Sequence, residues 1–122
     1  MKKYVEKQMT KLRAAHLLIK HQESRNPISR RTGQSTSNIT REMAVTELRE
    51  WLRRIKSGEI TFEEAASQRS DCGSYRDGGD LGLFGPGEMM KPFEDATRAL
   101  AVGEISDVVH TDSGCHIIKR LA

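Results

Sequence analysis

The chain has 122 residues, 20 Lys plus Arg against 17 Asp plus Glu, 36% apolar residues and a formal net charge of +3. It can bury one small core and has no spare length for a second domain of ordinary size. No stretch approaches the ~20 consecutive apolar residues of a membrane span, and the start at Met1 carries no signal-like apolar run, so neither membrane insertion nor secretion is expected.

The charge is unevenly spread. Residues 1 to 41 hold ten Lys/Arg and two Asp/Glu, whereas residues 42 to 122 hold ten Lys/Arg and fifteen Asp/Glu. The basic character therefore belongs to one end. Cys72 and Cys115 are too few for a disulfide scaffold and lack C-x-x-C pairing, so a reducing compartment, cytoplasmic or nuclear, is expected.

Residues 1 to 11 are polar and lysine-rich without periodicity and read as a flexible basic lead-in to a domain over 12–122. The apolar run from Leu12 to Lys20 is too short for a typical helix and predicts a mostly buried strand. Alternation puts His16, Leu18 and Lys20 on one face and Ala15, Leu17 and Ile19 on the other. From His21 to Asn38 the composition predicts a long exposed loop. Ala44, Leu48, Trp51, Leu52 and Ile55 then share a helix face, with Thr40 as N-cap and Gly58 just beyond the C-terminus. Thr61-Phe62-Glu63-Glu64 has capping-box spacing and opens a second helix over 62–70. Ser70 to Gly87 is turn-rich, with a short strand around Leu81 to Phe84. Pro92 fits the first position of a third helix stopped by Gly103. Two strands around Asp112-Ser113-Gly114 form a closing hairpin. The order predicts an α+β domain with an antiparallel sheet in which the first and last strands are free to pair.

Three groups of residues can carry chemistry. His16, His116 and Cys72 are one; they read either as satisfied, partly buried side chains or as a site, and counting alone also admits a zinc site or a cysteine–histidine hydrolase, neither with supporting motif spacing. Leu81, Phe84, Met89 and Phe93 read as core or as a pocket for a proline ring, and Gly82 to Gly87 lacks the G-K-[ST] of a phosphate loop. Lys20, Arg25, Arg30 and Arg31 read as a solvated basic segment or as an anion site, with Lys20 about 13 Å along the strand from His16 at ~3.3 Å per residue. The basic segment has one aromatic, Tyr4, and no groove-reading signature, so nucleic-acid binding is not expected.

Five blocks carry a resemblance. His16-Leu17-Leu18-Ile19-Lys20-His21, Ser70-Asp71-Cys72, Gly79 through Phe84, Lys91 through Ala96, and Thr111 through Ile118, in that order, resemble the parvulin family of peptidyl-prolyl cis/trans isomerases. Ser24-Arg25 with upstream Lys20 is similar to its Pin-type branch, which acts on phosphoserine- or phosphothreonine-proline bonds. The resemblance implies an FKBP-like four-stranded antiparallel sheet surrounded by four helices. It implies a catalytic group of His16, Cys72, His116, Ser113 and Thr111, a proline pocket of Leu81, Met89 and Phe93, and a phosphate clamp of Lys20 and Arg25. It also implies a monomer acting on phosphorylated Ser/Thr-Pro proteins, with no metal or other cofactor. Asn26 stands where the branch carries a second arginine, which leaves open substitution by Arg30 or Arg31 and a weaker phosphate preference. Gly73 stands where serine is common. The few residues before the first strand leave no room for the branch's WW module, so a catalytic domain alone is expected. A noncatalytic phosphopeptide reader is the rival outside catalysis.

Overall fold

The computed structural model describes residues 11–122; the lead-in expected over residues 1 to 11 lies, apart from Lys11, outside the described residues. Strand β1 (Leu12–Ile19) is buried throughout except at Arg13. Such burial on both faces is what a short apolar run achieves only in the middle of a sheet. After it come α1 (Arg41–Lys56), α2 (Phe62–Arg69), a 3₁₀ helix (Gly73–Asp77), β2 (Asp80–Phe84), α3 (Lys91–Ala99), β3 (Val109–Thr111) and β4 (Gly114–Arg120).

The sheet runs β2-β1-β4-β3 with every pair antiparallel. The predicted pairing of first and last strands is its centre, in register from Ala14 opposite Arg120 to Ile19 opposite Cys115. One face, formed by Ala15, Leu17, Ile19, Cys115 and Ile117, packs on Ala44, Leu48 and Leu52 of α1 and on Phe62, Ala65 and Ala66 of α2. The other face places Leu12, Ala14 and Ile118 against Phe84 and Phe93, with Ala96 and Leu100 closing the layer. Of the four helical elements implied by the resemblance, the described residues supply three α-helices and one 3₁₀ helix, the latter in a region that composition marks only as turns.

Local chemistry explains the helix ends. The Thr40 hydroxyl accepts the Met43 N–H at 3.1 Å, and α1 ends at Ser57 with Gly58 at φ +81°. Thr61 and Glu64 complete a capping box, each side chain accepting the other's backbone N–H. Helix α3 departs from expectation at both ends. Lys91 is its first residue and Pro92 its second, and it stops at Ala99, before Gly103, because Leu100 turns extended and its carbonyl accepts from Arg120 Nη1 at 2.7 Å.

The segment after β1 is not the open loop its composition suggests. It doubles back through a bridge between Ile28 and Ser35, and Ser24, Ser29 and Thr36 are buried. Short polar side chains replace regular secondary structure here: Ser24 Oγ accepts the His21 N–H, and Ser29 Oγ accepts those of Arg31 and Thr32. Two backbone bonds dock the segment on the body, Arg25 N–H to the Asp112 carbonyl at 2.7 Å and Arg30 N–H to the Asp71 carbonyl at 2.9 Å.

Gly79 anchors the middle of β1. Its carbonyl accepts the His16 N–H at 3.0 Å, its φ is +88°, and a Cβ there would lie 2.3 Å from the His16 carbonyl oxygen. Gly79→Ala is expected to lower the unfolding free energy by at least about 2 kcal/mol, read from the urea midpoint. Gly82, at φ +76° with open space around it, should lose only about 1 kcal/mol in the same substitution. Equal losses would show that the close approach to His16 is unimportant.

Candidate active site

The register of β1 and β4 brings together residues 100 apart in sequence. His16 lies opposite Ile118 and His116 opposite Leu18, so the imidazoles are diagonal neighbours on one face of the sheet, within reach of long side chains. Their Nδ1 atoms are 2.9 Å apart, and the rings stack with centroids at 5.1 Å. Phe93 closes the group edge-on, 5.5 Å from His16 and 5.4 Å from His116.

A hydrogen-bonded chain runs out of this pair. Thr111 Oγ1 lies 2.6 Å from His116 Nε2 and accepts the Ser113 N–H at 3.1 Å. The balance that gives the threonine proton an acceptor has the hydroxyl donating to His116 Nε2. His116 Nδ1–H then donates to His16 Nδ1, and the His16 proton resides on Nε2, assigned by donor–acceptor counting. That Nε2 is buried and has no hydrogen-bond partner. Burial pushes the His16 pKa down to about 4, and burial, reinforced by His16 and His110, holds His116 well below the ordinary histidine value. At neutral pH the pair is uncharged, a fixed set of dipoles in a dry environment.

Two cavities meet beside the pair. The first, about 200 Å³, is lined by His16 and His116, by Leu81, Met89, Met90 and Phe93, and by Leu18, Cys72 and Ser113. The second, about 160 Å³, is lined by Lys20, Arg25, Asn26 and Arg30 and again by Leu18, Cys72 and Ser113. Those last three residues are a common wall. An apolar chamber and a basic one therefore form a single groove.

The basic chamber depends on how β1 ends. Lys20 follows Ile19 directly; its N–H donates to Asp71 Oδ2 at 2.9 Å and its Nζ to the Ile28 carbonyl at 2.8 Å. Burial and the nearby Arg30 lower its pKa, while Asp71 and Cys72 oppose that shift. None of Lys20, Arg25 and Arg30 forms an ion pair with a carboxylate among the described residues. Arg31 does not join them. Its Nε donates to the Ser70 carbonyl at 3.2 Å, and it lines a different depression with Thr32 and Gln34. The Arg30 and Arg31 N–H groups are tied to different partners, and the two residues line different cavities. Gly73 lies beside the Arg30 stem: a Cβ there would stand 3.8 Å from Arg30 Cδ, an ordinary van der Waals contact.

The structure thus groups every expected site residue except Arg31. Composition and periodicity missed Leu18, Met90 and Asn26 as lining residues. Leu18 carried a signal, since it shares the strand face of His16. Met90 carried none, because its role follows from α3 beginning one residue later. The two Nδ1 atoms face one another in a hydrogen bond, and no cluster of three or more His, Cys, Asp or Glu side chains suited to a metal occurs among the described residues.

A buried neutral histidine pair, flanked by an apolar and a cationic chamber, thus sits on a β2-β1-β4-β3 antiparallel sheet. Residues 16–122 match the model of the PPIC-type peptidyl-prolyl isomerase, or rotamase, domain. The chain is 54% identical over 113 residues to the peptidyl-prolyl cis-trans isomerase Pin1 of Arabidopsis thaliana, covering 91% of this chain and 95% of that one. It is 46% identical over 121 residues to the isomerase ESS1 of Saccharomyces cerevisiae, covering 98% and 70%. Among solved structures, the solution structure of TbPIN1 superposes with a TM-score of 0.85 at 70% identity, covering 93% of this chain and 98% of that one. The ESS1 isomerase of Candida albicans gives 0.89 at 43%, covering 93% and 64%. The chain belongs to the parvulin-type, PPIC-type family of peptidyl-prolyl cis/trans isomerases, and it is an isomerase of the Pin type.

The histidine pair makes stability depend on pH in a definite sense. A histidine held near 4 in the folded state and near 6.5 in the unfolded state stabilises the fold fully above the higher value, and this contribution is lost as pH falls towards the lower. Between about pH 7 and about pH 4.5, the wild-type protein should lose about 2 kcal/mol relative to a His16→Leu variant, measured by urea unfolding. A constant gap between the two would show that His16 is not held neutral.

Proposed function

We propose that this isomerase acts preferentially on prolyl bonds preceded by phosphoserine or phosphothreonine, and does so without a covalent intermediate. The observation that carries this reading is the common wall of Leu18, Cys72 and Ser113 between the two chambers. It sets an anion site beside a ring-sized apolar site, as a phosphorylated side chain and the proline after it require. Lys20, Arg25 and Arg30 supply the anion site, with Arg30 in the role left vacant by Asn26 and Arg31 outside it. Guanidinium and ammonium donors bind a phosphate dianion by charge-assisted hydrogen bonds, arginine in a planar fork. Leu81, Met89 and Phe93 take the ring, assisted by Met90. Phosphorylated Ser/Thr-Pro proteins are the corresponding partners.

The energetic demand is small for an enzyme. Rotation about the prolyl bond faces ~18–20 kcal/mol and takes tens to hundreds of seconds unaided. A turnover of about 10 to 1,000 per second requires lowering that barrier by roughly 4 to 7 kcal/mol. Fixing the phosphate at one end and the ring at the other leaves the amide between them as the part free to twist. Favouring the twisted form over both planar forms meets the demand by differential binding alone. Cys72 and Ser113, on the wall between the anchors, face the rotating carbonyl, while the neutral histidine pair holds Thr111 and the Ser113 backbone in place. A nucleophilic thiol is not needed.

Exchange NMR on matched phosphoSer-Pro, Ser-Pro and Glu-Pro peptides tests both parts. The phosphorylated peptide should isomerise fastest, with an advantage that shrinks as salt is raised. Equal rates on all three would overturn the phosphate preference, and no acceleration of any would reduce the site to a phosphopeptide reader. Arg30→Ala should lower kcat/KM on the phosphorylated peptide about tenfold more than on the unphosphorylated one, whereas Arg31→Ala should not discriminate between them. Cys72→Ser should lose no more than about tenfold, and complete loss with an intact fold would favour attack by the thiol.

A further inference from the structure

Behind the basic chamber a partly buried ionic relay extends from Asp71 beyond the site described above. Asp71, with a side chain only 3% exposed, is its centre. Its Oδ2 accepts the Lys20 N–H at 2.9 Å, its carbonyl accepts the Arg30 N–H at 2.9 Å, and its own N–H donates to the Leu18 carbonyl at 2.8 Å. One residue therefore fixes the backbone of two clamp cations and of the wall between the chambers. Asp71 Oδ1 is held in turn by Arg69 Nη1 at 3.1 Å. Arg69, the last residue of α2, is forked onto Glu47 of α1, which also accepts Trp51 Nε1–H at 2.9 Å.

We propose that Arg69 is a positioning residue for the phosphate clamp: braced by Glu47, it orients the Asp71 carboxylate that fixes the Lys20 backbone, and it offsets the negative charge that Asp71 would otherwise present to an incoming phosphate. The inference rests on the phosphate reading given above. Arg69 itself lines neither chamber of the groove. It acts from behind, and two physical effects make the action specific. A buried carboxylate that loses its cation is drawn towards water, and the Lys20 N–H then loses its fixed acceptor, Asp71 Oδ2. While it stays ionised, its charge is felt at the Lys20 ammonium, in a region of low dielectric where screening is weak. Both effects fall on anion binding. The Asp71 N–H that holds the shared wall at Leu18 is backbone and does not depend on the carboxylate, and the histidine pair and the Phe93 side of the proline chamber are held by β4, α3 and Thr111.

The test compares kcat and KM of the full chain on phosphoSer-Pro and Ser-Pro peptides for wild type, Arg69→Met, Arg69→Lys and Glu47→Gln. Arg69→Met should raise KM for the phosphorylated peptide about tenfold and leave kcat/KM on the unphosphorylated peptide within about twofold of wild type. Arg69→Lys keeps the charge but not the fork to both carboxylates, and should recover part of the loss. Glu47→Gln retains the Arg69–Asp71 pair and removes only the brace, so it should fold even where Arg69→Met does not, and should show a smaller loss in the same direction. A wild-type preference that survives in both Arg69→Met and Glu47→Gln, or an equal loss on the two peptides, overturns the proposal while leaving the phosphate reading intact. Equal wild-type rates on the two peptides overturn that reading and the proposal with it.

Discussion

Everything in this molecule that bears on catalysis depends on the pairing of β1 with β4. Closing a loop of about a hundred residues costs conformational entropy before any contact returns it. Burial of the central strands on both faces offsets that cost, with Leu17, Ile19 and Ile117 on one side and Leu12 and Ile118 on the other. The register that buries those residues is the one that makes His16 and His116 diagonal neighbours. A slip of either strand by one residue would turn its imidazole to the opposite face, into the layer occupied by α1 and α2, and separate the pair. Core packing and site assembly are thus one event.

The chemistry is divided along the same strand. Towards its middle, β1 contributes a histidine kept neutral by dryness. At its end it contributes a lysine whose pKa is lowered by burial and Arg30, a shift that Asp71 opposes. Leu18 lies between them in the wall that both chambers share. An apolar ring site and an anion site tend to exclude one another, since a desolvated cation without a partner is unfavourable. Here the cations are stationed where the polar segment after β1 folds against the body. Their backbone is secured by Asp71 and Asp112, Arg25 and Arg30 are exposed while Lys20 is buried with its Nζ on the Ile28 carbonyl, and the apolar chamber lies across the wall of Leu18, Cys72 and Ser113.

One departure from the family's usual pattern is offset in the structure. Asn26 stands where an arginine is expected, and Arg30 lines the same chamber from four residues further on. The exchange moves a cation along the loop while keeping the chamber basic, and the backbone bond between Arg30 and Asp71 supports it there.

Much was legible from the residues. The strand over Leu12 to Ile19, the α1 stripe, the Thr61 capping box and the closing hairpin all rest on local rules of periodicity and capping, which act over a few residues and survive in any context. His16, Cys72 and His116 stood out because few other residues in the chain can do chemistry, and the family resemblance gave their partners Thr111 and Ser113. The order in the segment from His21 to Asn38 was not legible, because serine and threonine hydroxyls bonding to nearby backbone leave no periodic trace. Neither was the selection of Arg30 over Arg31. Two adjacent arginines on a turn are equivalent in sequence, and only the docking of that turn against Asp71 and Ser70 distinguishes them. The sequence by itself determined the elements, their order and the chemical types available for a site, since these follow from side-chain chemistry and short-range spacing. Only the tertiary structure decided which imidazole nitrogens meet, which residues form the shared wall and which cation faces it, because each of these depends on the register and docking of segments far apart in the chain.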